Sequence, residues 1–177
     1  PREDASFRAI DCAELHAQAL QLAAHWREQQ CRPGQSIVVI LPPSTELLIA
    51  LCAGLSAGLH IILISPQGAT YVQNRLDLCS EAPIWTLSTY RRWLGRHDAR
   101  VLPESVTKGA GRASPGSPGS HTYSESAPVL GLFSPLADSP PRLLSVTAGA
   151  LYVGALRDAL LLGLGESRGR PKLLWAI

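Results

Sequence analysis

The sequence has no methionine, not even at position 1. It opens Pro1-Arg2-Glu3-Asp4, a start that initiator removal explains as well as excision from a longer polypeptide does. No basic segment followed by an apolar stretch opens the chain, so no secretion signal is expected. No apolar run reaches the ~18 residues of a membrane-spanning helix, so no membrane is expected either. An excess of one charge is missing as well. Sixteen basic residues face 14 acidic ones, a net +2, which is too even for a nucleic-acid-binding face. Cysteine pairs are absent: Cys12, Cys31, Cys52 and Cys79 stand far apart with no C-x-x-C. They read as reduced, mostly buried thiols of a cytoplasmic protein, too widely spaced to hold a metal.

Several catalytic signatures are lacking too. There is no strand-to-helix G-x-G-x-x-G and no G-x-S-x-G elbow. His16, His25, His60, His97 and His121 show no ligand spacing and read as surface or core-edge residues. Cys79, near the end of a helical pattern, reads as a buried apolar thiol rather than a nucleophile. Arg91, Arg92, Arg96 and Arg100 form a small basic cluster near Tyr90 and Trp93. It is either a solvated face or a grip for a phosphate or an acidic partner.

What the 177 residues do contain is an alternation of helical and strand patterns long enough to bury a core. Leu15, Ala19, Leu22, Ala23 and Trp26 predict a helix over 12–29. Ser36–Leu41 is a β-branched apolar run, read as a strand covered on both faces. Ser44 and Glu46 mark the start of a helix over 45–57 carrying Leu47, Leu48, Leu51 and Leu55, with Gly58 as its C-cap. Further strands are predicted at 61–64, 84–87 and 129–133, with a short one at 100–102. A helix over 69–80 carries Val72, Leu76 and Cys79, and Thr89 is the expected cap of a short helix ending at Gly95. A loop leads to Leu143–Val146, and a helix over 148–162 follows. Lys172–Ile177 reads as a final strand. The order predicts an α/β fold, layered, with a largely parallel sheet flanked by helices. Residues 105–126, rich in Gly, Ser and Pro, are expected to be a flexible loop between a first part, 1–104, and a second, 127–177.

Ordered along residues 8–104 are Ala13-Glu14-Leu15 through Leu22-Ala23, then Arg32-Pro33-Gly34-Gln35-Ser36-Ile37-Val38-Val39-Ile40-Leu41-Pro42. Ser44-Thr45-Glu46, Ala57-Gly58, Ser65-Pro66 and Ile84-Trp85-Thr86 follow. This set resembles the opening of the adenylate-forming ligases, which include acyl-CoA synthetases and the adenylation domains of nonribosomal peptide synthetases. Gln35 stands where that family usually has Asp. The resemblance implies the N-terminal subdomain of such an enzyme and, for the whole family, ATP-dependent activation of a carboxylic acid through an acyl-adenylate. It also implies a unit far longer than this chain, so the expectation is a truncated lobe, without the acid pocket, adenine site and catalytic lysine.

The family's phosphate loop, roughly YTSGTTGxPKGV and a later Thr, would fall after the strand at 129–133. Here Ser134 stands at the first hydroxyl, Pro141-Arg142 at the Pro-Lys, and Thr147 at the later Thr. Pro135, Leu136, Ala137, Asp138 and Ser139 replace the glycine-containing core. A phosphate cradle needs inward backbone N–H groups and close approach. Proline has no N–H, leucine adds bulk, and an aspartate repels polyphosphate. The degraded positions are therefore Ser134, Asp138, Ser139, Arg142 and Thr147. Either they bind no ATP, or a divergent loop binds through Ser134, Ser139 and Arg142.

The leading expectation is a non-catalytic, adenylation-like pseudoenzyme with no catalytic residues, metal or cofactor. It would act as a structural or docking module, with a protein partner or flanking synthetase domains meeting the apolar helix 148–162. A helix this apolar is either buried between layers or docked on another chain. The alternatives are a fragment of an active ligase using ATP and magnesium, completed by other regions or a second chain, and a small ligand-binding α/β domain unrelated to adenylation.

Overall fold

The computed structural model describes residues 10–79, 81–103, 121–134 and 140–161. Helix α1 (Cys12–Glu28) starts where the Asp11 carboxylate accepts the Glu14 N–H at 2.7 Å. Its buried stripe is Gln18, Ala19, Leu22, Ala23 and Trp26. Strand β1 (Ser36–Ile40) follows, then α2 (Thr45–Ala57). The Ser44 hydroxyl caps α2 by accepting the Leu47 N–H, and Gly58 ends it in the left-handed conformation, φ 80°. Strand β2 (His60–Ile64), helix α3 (Ala69–Leu76) and strand β3 (Ile84–Thr86) come next. A 3-10 helix (Ser88–Trp93), β4 (Ala99–Val101), β5 (Pro128–Phe133), β6 (Leu143–Thr147) and α4 (Ala148–Leu161) complete the described chain.

The strands form one six-stranded sheet in the order β4-β3-β1-β2-β5-β6. All neighbours are parallel except β5 and β6, which pair antiparallel. The parallel strands therefore end on one edge of the sheet, and β6 runs back to the opposite edge. Continuous apolar runs are explained by cover on both faces. Ile37, Val39, Ile61 and Trp85 pack with α1 and α2, where Trp26 and Trp85 meet at 5.9 Å. Val38, Ile40, Ile62 and Ile64 pack with Val72 and Leu76 of α3 and with Leu94. Burying one large apolar side chain stabilises by roughly 1.5–3 kcal/mol, so these two layers hold the fold.

Several details differ from the sequence expectation. Helix α3 stops at Leu76 and continues only as turns to Cys79, although Val72, Leu76 and Cys79 are all buried. Thr89 caps nothing: the short helix is 3-10 and starts after Leu87 with no side-chain cap bond. The fully buried stripe of α2 is Ile49, Ala50, Ala53, Gly54 and Ala57, with Leu47 and Leu51 only partly buried. Small residues let α2 lie close to β2 and Trp26. Leu143–Thr147 is a full strand. Residues 121–126, assigned to the loop on composition, are tied down. The Tyr123 hydroxyl lies 3.3, 3.0 and 3.4 Å from the carbonyl oxygens of Gly54, Leu55 and Leu59. The bulk of that loop, 105–120, and the strand expected at 172–177 lie outside the described residues.

Candidate functional site

The candidate phosphate loop leaves the sheet at the end of β5, on the edge where the parallel strands terminate. Ligands of open α/β sheets bind at that edge. Ser134 is 8% exposed. Its N–H donates to the Arg142 carbonyl at 2.9 Å, and its hydroxyl accepts the Arg142 N–H at 3.2 Å. The two residues thus close the neck of the loop as an extra rung of the β5–β6 ladder. Below them, Phe133 and Leu143 are paired across the strands and packed on the α3 core. The Arg75 guanidinium from α3 lies 3.4 Å from the Tyr71 ring centroid and 5.6 Å from that of Phe133, and it donates to the Tyr71 carbonyl.

The other candidate positions do not gather here. Thr147 pairs with Pro128 at the far end of the hairpin. At ~3.3 Å per residue it is about 17 Å along the chain from Arg142 at the neck. Its hydroxyl accepts the Ala150 N–H at 3.3 Å, which makes it the N-cap of α4. Asp138 and Ser139 lie outside the described residues. The structure brings together Ser134 and Arg142 of the five, and it spends the amides of both within the ladder. A cradle for triphosphate needs such N–H groups turned towards the ligand. The Arg142 side chain is exposed, but one guanidinium supplies charge without the cradle. The positions that would form the cradle itself, 135–139, lie outside the described residues.

The remaining titratable groups form no second reactive cluster. No group of three or more His, Cys, Asp or Glu fit to hold a metal occurs among the described residues. Burial pushes the Cys79 thiol up to about 11 and raises those of Cys52 and Cys31, opposite to what a nucleophile needs. His60 is buried, 2.9 Å from the Ser36 hydroxyl through Nδ1, and burial lowers its pKa. Burial also raises Tyr123 to about 12. Two shallow clefts of about 370 Å³ lie elsewhere. One is lined by Gln73, Asp77, Leu94, Arg96 and His97. The other runs between Leu55, Tyr123 and the Leu151–Tyr152 side of α4. Neither is lined by Ser134 or Arg142. Sequence reasoning missed the Tyr123 anchor, although an aromatic inside a Gly/Ser/Pro-rich stretch is a signal that something holds it. It also missed the Arg75 stack, which no local pattern announces.

Helix α4 is apolar but uncovered. Tyr152 is 68% exposed and Leu156 47%. Val153 and Leu161 are also exposed, so among the described residues nothing buries this face. Burial within the lobe, one of the two sequence readings, is not seen for these four side chains among the described residues.

The architecture is that of the N-terminal subdomain of adenylate-forming enzymes. The chain superposes on o-succinylbenzoate CoA synthetase of Bacillus subtilis, in complex with an acyl-adenylate intermediate, with a TM-score of 0.72. The identity is 18%, over 91% of this chain and 42% of that one. It also superposes on the adenylation domain of a keto acid-selecting nonribosomal peptide synthetase module, with a TM-score of 0.67 and 12% identity, over 84% of this chain and 29% of that one. In sequence it is 29% identical over 155 residues to a linear gramicidin synthase of Brevibacillus parabrevis, which is 85% of this chain and 2% of that protein. No family model matches the chain. The protein is thus an adenylate-forming-ligase-like fragment by fold, spanning well under half of these relatives. The reading of an unrelated small α/β domain is set aside by the shared fold. No helix among the described residues is long and apolar enough to cross a membrane.

Proposed function

We propose that this chain is a non-catalytic, adenylation-like module that serves as a structural or docking element in the cytoplasm, within or beside a peptide or polyketide synthetase assembly. The observation that carries the reading is the loop neck. Ser134 and Arg142 use their backbone N–H groups, and Ser134 its hydroxyl, on each other. Leu136 stands where the family has a glycine, and Pro135 and Asp138 where it has hydroxyls. No ATP, magnesium or other cofactor belongs to this reading. The partner surface is α4, through its exposed apolar face, and the expected partners are flanking synthetase domains. Calorimetric titration of the purified chain with MgATP tests it. No saturable heat at millimolar nucleotide is expected, and saturation at micromolar nucleotide overturns the proposal.

A second reading is favoured by two observations. The bare face of α4 and the 42% coverage of the synthetase also suit a piece of an active ligase that uses ATP and magnesium. That reading predicts acid-dependent ATP–pyrophosphate exchange once the complementary part is supplied on the same or a second chain. Absence of exchange in that reconstituted pair leaves the non-catalytic module.

A further inference from the structure

The end of the sheet opposite β6 carries a feature independent of the loop. Between Ser88 and Val101 lie four arginines, Arg91, Arg92, Arg96 and Arg100, against the single acid Asp98. That excess is larger than the net +2 of the whole chain. Arg96 is matched by Asp77 at 3.1 Å, and Arg100 donates to the Gln29 carbonyl from a position 5.6 Å over the Trp85 ring. Arg91 and Arg92 are exposed on the 3-10 helix and have no carboxylate partner among the described residues. Tyr90 and Trp93, stacked at 5.1 Å, flank them.

Beside this helix runs β4, the outermost strand on that side. The Leu102 N–H points inward to the Thr86 carbonyl at 2.9 Å. Backbone groups alternate along a strand, so the N–H and C=O of Val101 face the open edge, and Val101 is 40% exposed. Such an edge accepts an added strand. A second copy of this chain is disfavoured, because edge-to-edge pairing would bring cation against cation. A segment bearing carboxylates is favoured for the same reason.

We infer that β4 and the 3-10 helix form a docking edge for an extended acidic segment of a partner protein, which hydrogen-bonds at Val101 and is held by Arg91 and Arg92. The sheet supplies the direction of the bound strand. The arginines supply the charge that selects it and speeds encounter at low salt.

The test uses the full chain and a fluorescein-labelled peptide in which glutamate pairs alternate with valine pairs, followed by anisotropy at low and physiological salt. Saturable binding that weakens with salt is expected, with none for the lysine counterpart. Arg91→Glu with Arg92→Glu should weaken binding about tenfold or more. Val101→Pro removes only an outward N–H, which an edge strand tolerates, and should weaken binding comparably. Thermal melts confirm that both variants fold. The inference is overturned if the glutamate peptide does not bind, or if either folded variant binds like the parent. It is also overturned if a single-stranded RNA oligonucleotide displaces the peptide and binds more tightly, which would make the patch a phosphate-binding one.

Discussion

His60 shows how a single side chain joins chemistry to position. It begins β2 directly opposite Ser36 of β1, and its Nδ1 meets the Ser36 hydroxyl. Burial disfavours its charged form and lowers its pKa from 6.5. A base whose folded pKa is depressed contributes stability that is present above the unfolded pKa and lost as pH falls through the folded one. The urea midpoint should therefore fall as the pH is lowered below about 6.5, and His60→Gln should flatten that part of the profile. An unchanged slope in the variant would show that other groups cause the loss. Ser134 and Thr147 teach a related lesson. Both hydroxyls were legible as candidates from register alone. Their bonds, one across a hairpin neck and one at a helix start, depend on where the backbone turns, which the register does not state.

At the scale of elements, Gly54 decides how closely α2 lies on the sheet. A Cβ there would run into the buried side chain of Ile61 and come 3.6 Å from Trp26. Gly54→Ala gains about 1 kcal/mol of helix propensity but faces an overpacking cost of about 1–3 kcal/mol. The expected outcome is net destabilisation of order 1 kcal/mol, read as a lower urea midpoint at constant slope. A more stable variant would mean that Ile61 can move aside. The same close approach explains which elements could be read from the sequence. Strands β1, β2 and β3 were legible because both of their faces are covered, which demands unbroken apolar runs; β5 shows a similar run although Leu132 is exposed. The stripe of α2 was misjudged because leucines draw the eye, whereas alanines and a glycine set the contact. Strand β6 lacked a pattern because no helix among the described residues covers it, leaving Leu144 exposed. Tyr123 was hidden by the composition around it.

Across the whole molecule, apolar surface is distributed unevenly. The β4–β3–β1–β2 portion has a core on both faces, while Leu132, Leu144 and the outer side of α4 are bare. The exposed side of α4 is the surface at which the proposed docking would take place. Replacing Val153 and Leu156 together by glutamate should change stability by no more than about 0.5 kcal/mol. It should also lower the fluorescence of bound anilinonaphthalene sulfonate and abolish capture of any domain that docks there. A collapse in melting temperature would instead show that the face is packed within this chain. The fold class and element order were available from periodicity, and the ordered motifs added the family resemblance. The bare face was not available, because a sequence records how apolar a helix is and not what lies against it.

The reversal of direction between β5 and β6 has a further consequence. One return strand carries the chain from the loop edge to the opposite pole of the sheet before α4 begins, and the pairs from Leu130–Val146 to Phe133–Leu143 lock that path. The two ends of the loop, Ser134 and Arg142, are thereby fixed a strand's length from the start of α4. Under the proposed reading, changes in the loop and changes in the face of α4 are separable by inheritance, because the geometry keeps the two a strand's length apart.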